Sequence, residues 1–256
     1  MPMMAHAPAS EPPRDLGRGW RVLIAVSTAL LLVAVSIVPF LNPAWVRFEQ
    51  DRTGVQALTG FTPAELDVVA GGLLGDLALW RGDFRVALDG QPVLSEREVA
   101  HMRDVRGVLW GGFGLATVGA LLIVMALARS RGSQARASVW GGVAGGARAT
   151  VVGVVAIGAF AVLAFPVFFE LFHRLFFSEG TYVFDPETER LVQLFPAQFW
   201  SDTTIAIGSV ILGLSIVTAW RAGRRARRSA AQGAVNDRGW TVASARPVGG
   251  DTRTSR

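Results

Sequence analysis

A mainly α membrane protein, with four transmembrane helices and a small mixed α/β extracytoplasmic cap, is the fold this sequence predicts. Three observations carry that reading. Hydrophobic residues make up 51% of the 256 residues and charged residues only 18%, against about 25% charged in a typical soluble domain. Four runs are apolar, free of charge and about the length needed to cross a hydrocarbon core of roughly 30 Å. The basic residues are not spread along the chain but gather in three of the five segments outside those runs.

The first segment, residues 1–20, is rich in Ala, Pro and Arg and reads as a disordered tail. Val22–Phe40 is the first span, interrupted only by Ser27, Thr28 and Ser36. It is too long for a signal-peptide apolar region, and VPFLNPAWVRFEQ after it offers no small-x-small cleavage site. Residues 41–106 form the larger outer segment. Thr62-Pro63-Ala64-Glu65 is a capping box with proline at the first helical position, starting a short helix expected to end near Gly71-Gly72. Phe84, Val86 and Leu88 alternate into Asp89-Gly90, the pattern of a strand entering a turn. Ser95-Glu96-Arg97-Glu98 is a second capping box, and nothing after it stops a helix from running on into the second span, residues 107–128. A short basic loop leads to the third span, residues 149–169, which Pro166 marks near its end. The short loop makes spans two and three expected antiparallel neighbours. Residues 170–202 form the second outer segment and residues 203–220 the fourth span. Residues 221–256 read as an arginine-rich disordered tail, so that residues 21–220 make up the membrane domain.

Loop charge sets the expected topology. The chain has no lysine, so all 25 basic residues are arginine. Arg14, Arg18 and Arg21 precede span one; Arg129, Arg131, Arg136 and Arg148 lie between spans two and three; nine more follow span four. The other two loops hold more acids than arginines. The positive-inside rule then puts both termini in the cytoplasm of a multi-pass cell-membrane protein. The basic charge reads as a topology signal and an attraction to anionic membrane lipids, not as a nucleic-acid site.

Composition also excludes chemistry. With no cysteine there is no disulfide, thiol nucleophile, Fe–S cluster or cysteine-ligated zinc. Without lysine there is no Schiff base and no P-loop lysine. No G-x-S-x-G and no Gly-rich phosphate loop is present, and uncharged spans argue against ion-coupled transport.

Of three histidines, His6 lies in the N-terminal tail. At helical rise, His101 stands about 10 Å above the edge of span two and His173 about 6 Å above the end of span three. Both are on the outer side, at similar depth, where two imidazoles can converge. Asp104 shares a helical face with His101, and Glu170 lies three residues before His173; a carboxylate so placed can fix an imidazole tautomer. Arg103, Arg106 and Arg174 are cations that can hold an oxyanion or a lipid phosphate. The plain alternative is interfacial histidines that merely satisfy hydrogen bonds. A zinc site using both histidines with Asp104 or Glu170 is a third reading, without the H-E-x-x-H spacing. The aromatics of 170–202 fit either an interfacial belt or a groove for acyl chains.

Taken in order, His101-Met102-Arg103-Asp104-Val105-Arg106, then Phe172-His173-Arg174-Leu175-Phe176-Phe177, then Tyr182-Val183-Phe184-Asp185, then Leu191-Val192-Gln193-Leu194-Phe195-Pro196-Ala197-Gln198-Phe199-Trp200 resemble a family of four-span bacterial membrane proteins. That family is the lipoprotein intramolecular transacylases, Lit, and the resemblance runs from about Arg21 to Trp220. The chain departs from the family pattern in carrying Tyr182 where tryptophan is favoured and Arg106 where lysine is more frequent. The resemblance implies an acyltransferase that moves the sn-2 acyl chain of a diacylglyceryl-modified lipoprotein to its N-terminal cysteine α-amine. It implies no cofactor, no metal and no obligate protein partner. It implies His101 and His173 as acid/base catalysts, supported by Asp104, Arg106, Glu170 and Arg174. Phe176, Phe177, Tyr182, Phe184, Asp185, Phe195, Phe199 and Trp200 are the expected substrate-binding residues. The alternative is a non-enzymatic membrane protein of the same fold that binds lipid or a lipoprotein partner.

Overall fold

The computed structural model describes residues 17–178 and 181–244; the expected N-terminal tail lies outside them up to residue 16. The elements in order are α1 (Arg18–Ile37), a single 3-10 turn at Val38–Phe40, α2 (Pro43–Arg52), α3 (Val55–Thr59), α4 (Pro63–Leu79), β1 (Ala87–Leu88), β2 (Gln91–Pro92), α5 (Glu96–Arg129), α6 (Ser133–Leu163), α7 (Phe165–Phe176), α8 (Arg190–Leu194) and α9 (Ala197–Ser244). Among the described residues α1, α5, α6 and α9 are long and apolar enough to cross a membrane. Large apolar side chains face outward along them, among them Val118, Leu121, Val124, Val152, Val155 and Ile216. Such an unbroken apolar exterior suits lipid, not water.

Small residues decide which helices touch. A Cβ at Gly119 of α5 would meet the Ser27 Cβ of α1 at 3.0 Å, and one at Gly142 of α6 would meet Ile24 at 3.0 Å. Gly146 lies against the Ala25 backbone. These close approaches seat α1 between α5 and α6, which barely touch each other. The expected pairing of spans two and three is therefore corrected: the short connection joins them, but α1 intervenes. Close approach through glycine is the usual basis of helix association where lipid removes the hydrophobic driving force.

Other boundaries shift for local reasons. The third span begins far earlier than expected, at Ser133, and breaks at Ala164 (φ −142°, ψ 50°). Pro166 removes a donor and clashes with the preceding turn, so the chain restarts as α7. α4 passes through Gly71-Gly72 to Leu79 because Gly72 is where Val86 packs against the helix, the Val86 Cγ2 lying 2.8 Å from where a Cβ would stand. Of residues 221–256, expected as a tail, 221–244 continue α9 as helix and 245–256 lie outside the described residues. Alanine and arginine are strong helix formers, and Gly233 brings α9 against Ser133 at the start of α6.

The outer cap is mostly helical. Both capping boxes form: the Thr62 and Ser95 side chains accept from the backbone N–H of Glu65 and Glu98, whose carboxylates accept in return. The β content is one antiparallel pair, Ala87 with Pro92 and Leu88 with Gln91. Its two-residue turn is Asp89-Gly90, both at positive φ, as a tight hairpin turn requires. Val55, Leu66, Val69, Leu73, Phe84, Val99, Met102, Leu191 and Leu194 build one buried core that joins the two outer segments.

Candidate functional site

His101 reaches the site from the second turn of α5, and His173 from the last turn of α7. Their ring centroids are 5.9 Å apart with the planes 21° from parallel. They are 6% and 7% exposed, unusual burial for a pair of titratable groups. The convergence comes from α7, which the break at Ala164 redirects, rather than from any packing of α5 on α6.

Aromatic rings enclose the pair. Phe177 lies 4.9 Å from His101 and 5.4 Å from His173, and Phe184 lies 5.4 Å from His101. Phe169, Tyr182 and Phe172 lie 4.1, 5.1 and 5.5 Å from His173. The setting is apolar and poor in water, where hydrogen bonds and charges act more strongly than in solvent.

The two imidazoles are held differently. His173 Nδ1 lies 2.7 Å from the Phe169 carbonyl oxygen. A carbonyl only accepts, so Nδ1 carries the proton and Nε2 of the neutral ring keeps its lone pair. Burial lowers the His173 pKa from 6.5, against the opposing pull of the Phe169 carbonyl and the Glu170 charge, so the neutral base is the ordinary form near pH 7. His101 Nδ1 is buried with no hydrogen-bond partner among the described residues. Such an orphaned group costs about 1–3 kcal/mol.

The carboxylates expected to orient the rings do something else. Asp104 is exposed, and among the described residues no hydrogen bond joins it to His101. Glu170 accepts from Arg174 Nε at 2.8 Å and from the Tyr182 hydroxyl at 3.3 Å. It acts on His173 through space and fixes Tyr182 beside that ring. Arg106 does not face the histidines. Its guanidinium donates to the Gly82 carbonyl at 3.0 Å and stacks 4.1 Å from Trp80 and 4.9 Å from Phe84. It is a strut under the loop where Trp80 and Phe84 hold positive φ. Among the described residues no third His, Asp or Glu completes a grouping that would hold a metal ion.

Of the expected substrate-binding aromatics, Phe177, Tyr182 and Phe184 are at the pair. Phe176 is 47% exposed and stacks on Phe172 at 4.9 Å, at the rim. Phe195, Phe199 and Trp200 form a separate cluster with centroids 5.2 to 6.1 Å apart; Phe199 packs against Val46 and Ala70. Asp185 is a turn residue, its Oδ1 accepting from the Glu187 N–H at 2.9 Å.

Several positioning residues gave no motif in the sequence. Arg97 donates to Glu189 at 2.6 Å and lies 4.9 Å over the Phe184 ring, pressing it toward His101. Glu98, 2% exposed, accepts from the Leu191 N–H at 2.6 Å and from Ser95 at 2.7 Å. It thereby locks the helix bearing His101 to the segment bearing Phe184. The Phe169 carbonyl, four residues before His173 in the same helix, left no signal either.

A family model described as lipoprotein intramolecular transacylase Lit matches residues 22–200. A solved structure of the membrane integral lipoprotein intramolecular transacylase Lit from Bacillus cereus shares the fold. Its TM-score is 0.65 at 22% identity, covering 82% of this chain and 96% of that one. Two variants of the Bacillus cereus protein have one histidine replaced, by arginine or by alanine. They match with TM-scores of 0.60 and 0.59 at 21% and 22% identity, covering 84% and 82% of this chain and 94% of each of theirs. No curated relative matches the chain.

Proposed function

The chain belongs to the lipoprotein intramolecular transacylase family of acyltransferases, and from that premise we propose that it makes lyso-form lipoprotein with the His101–His173 pair. The substrate is a diacylglyceryl-modified lipoprotein. Its cysteine α-amine attacks the sn-2 ester carbonyl of its own glyceryl group. The amide C–N bond forms, the ester C–O bond breaks, and one proton must travel from nitrogen to the departing glycerol oxygen. One imidazole takes the amine proton and the other hands one to the alkoxide; return of the proton between the rings restores both. His173 suits the base role, because its Nδ1–H is committed to Phe169 and Nε2 is free to accept.

The observation that carries the proposal is the pair itself: two imidazoles 5.9 Å apart, buried in an aromatic enclosure. An α-amine has an ordinary pKa of about 7.7–8.0, so a neutral imidazole is a matched partner. Both reacting groups sit on one substrate molecule, so positioning supplies much of the rate. From the arginine distribution we read the pair as lying on the outer side of the membrane, where the glyceryl ester of a lipoprotein lies. The orphaned Nδ1 of His101 would find its partner in a polar atom of the substrate.

The test expresses the protein in a host lacking its own enzyme and reads the ratio of lyso-form to diacyl lipoprotein by mass spectrometry of the N-terminal peptide. Wild type is expected to convert. His101→Asn and His173→Asn should each lower conversion by roughly 10²–10⁴-fold, since an amide can hold a hydrogen bond but cannot shuttle a proton. The double variant should be far less than multiplicatively worse. Near-wild-type conversion by both asparagine variants, at normal membrane levels, would overturn the histidine mechanism.

A further inference from the structure

At the arginine-rich end, far from the histidines, a cleft of about 610 Å³ opens between α1, α6 and α9. Its mouth carries Arg18 from α1, Gln134 from α6 and Arg227 from α9; its inner wall is Val22 and Ala25 on one side and Gly141 and Gly145 on the other. α1 and α6 both begin at this end. Seven residues from Arg18 to Ala25, and eleven from Gln134 to Gly145, carry the cleft about 10–16 Å along the helices at 1.5 Å per residue. The lining thus changes from cationic to apolar along its length.

The four glycines in the first half of α6 divide into two pairs. Gly142 and Gly146 are explained by α1, whose Ile24 and Ala25 lie where a Cβ would stand. Gly141 and Gly145 have nothing within 4 Å of an added Cβ. Glycine is a poor helix former, and no packing inside the chain calls for it at these two positions. Both line the cleft.

We propose that this cleft binds one anionic phospholipid, its phosphate between Arg18 and Arg227 and an acyl chain laid along Gly141 and Gly145. A free phosphate would use the guanidiniums and leave the apolar wall idle; a zwitterionic lipid would use the wall and gain little from the charge. A ligand charged at one end and apolar at the other matches both. Basic pockets between transmembrane helices are a recurring site for such headgroups. The site stands apart from the acyl-transfer centre and does not rest on the proposed chemistry.

The experiment is native mass spectrometry of the full chain in detergent, titrated with phosphatidylglycerol or with phosphatidylcholine of the same acyl chains. Wild type should retain one phosphatidylglycerol in preference to phosphatidylcholine. The double variant Arg18→Gln/Arg227→Gln should lose that retention by roughly tenfold or more, as expected for two interfacial arginines. Gly145→Leu, whose Cβ meets nothing within 4 Å and whose side chain enters the cleft, should lose it as well. A matched control, Arg131→Gln/Arg228→Gln, removes the same charge outside the cleft and should retain the lipid. Equal loss in the control would show diffuse electrostatic attraction and overturn the site. So would displacement by inorganic phosphate, or equal retention of phosphatidylcholine. Should the charge variants fail to fold, Gly145→Leu decides alone, and retention in that variant refutes the proposal.

Discussion

His173 and His101 are buried side by side, yet their hydrogen-bonding situations are opposite, and each carries a prediction. Burial holds the His173 pKa below its usual 6.5, while Glu170 pulls it upward. A base must be neutral to act, and so must the attacking amine, whose ordinary pKa is about 7.7–8.0; once the amine's own titration is divided out, the remaining acid limb belongs to the ring and should lie below pH 6.5. Glu170→Gln removes an upward pull, and the acid limb of the pH profile should move to lower pH; a move to higher pH would contradict that electrostatic assignment. At His101 the buried Nδ1 has no partner among the described residues, a cost to stability that a purely structural residue would not retain. His101→Leu, of similar volume among Phe177 and Phe184, should abolish conversion yet leave thermal stability unchanged or raised by up to about 1–3 kcal/mol. A fall in melting temperature of several degrees would mean that the imidazole has a structural partner. The convergence of the two histidines was legible in the sequence from their similar depth beside two spans. The group that orients His173 was not, since a backbone carbonyl such as that of Phe169 leaves no mark on composition. Against the larger lowering by burial, Asp104 and Glu170 pull the pKa of His101 and His173 upward as their spacing suggested, but helical spacing does not fix hydrogen-bond partners, and Arg174 takes the Glu170 carboxylate.

At the scale of the element, periodicity and caps were readable and neighbours were not. The Ser95 capping box and the uninterrupted run after it specify a 34-residue helix, and α5 is that helix. Asp89-Gly90 specifies a tight hairpin, which forms. Which helix lies beside which depends instead on single small residues, and a glycine contact has no signature until its partner is known. Gly146 illustrates the point. It abuts the Ala25 backbone, so Gly146→Leu must push α6 off α1. Overpacking a core ordinarily costs about 1–3 kcal/mol, and backbone yields less readily than a side chain. The variant should show reduced membrane levels or a lowered melting temperature. Gly145→Leu, one position along, should remain monodisperse in detergent. Similar behaviour of the two would remove α1 from the centre of the bundle. The end of α9 was misread for a different reason. Residues 221–244 lack an apolar stripe, but alanine and arginine favour helix without one, and the helix already begun at Ala197 needs no new nucleus to continue.

Across the whole molecule, charge and apolar area are sorted in the same direction. The aromatic enclosure of His101 and His173 lies at the acid-rich cap, and the arginines of α1, of the start of α6 and of the end of α9 gather at the other end. Four crossings return the chain to the side from which it started, so the beginning of α1 and the end of α9 must share a side, whichever it is. The arginine count is the ground on which we propose the side. Arg18 and Arg21 precede the first apolar run, Arg129, Arg131 and Arg136 surround the α5–α6 link with Arg148 further along α6, and Arg221, Arg224, Arg225, Arg227 and Arg228 follow the last. Lys/Arg bias in short loops near the membrane sets orientation, whereas acids contribute little. The nine arginines of the cap do not offset this, because seven of them lie in residues 41–106, a segment longer than the short loops over which the bias acts. A reporter active only in the cytoplasm should therefore be active when fused after Ser244 and silent when inserted at Asp89, in the exposed hairpin turn. A reporter active only outside should give the reverse. If both positions report the same side, the four-crossing arrangement is wrong. If the sides are exchanged, the histidine pair faces the cytoplasm, where the N-terminal ester of an exported lipoprotein would not meet it, and the proposed substrate fails with the topology.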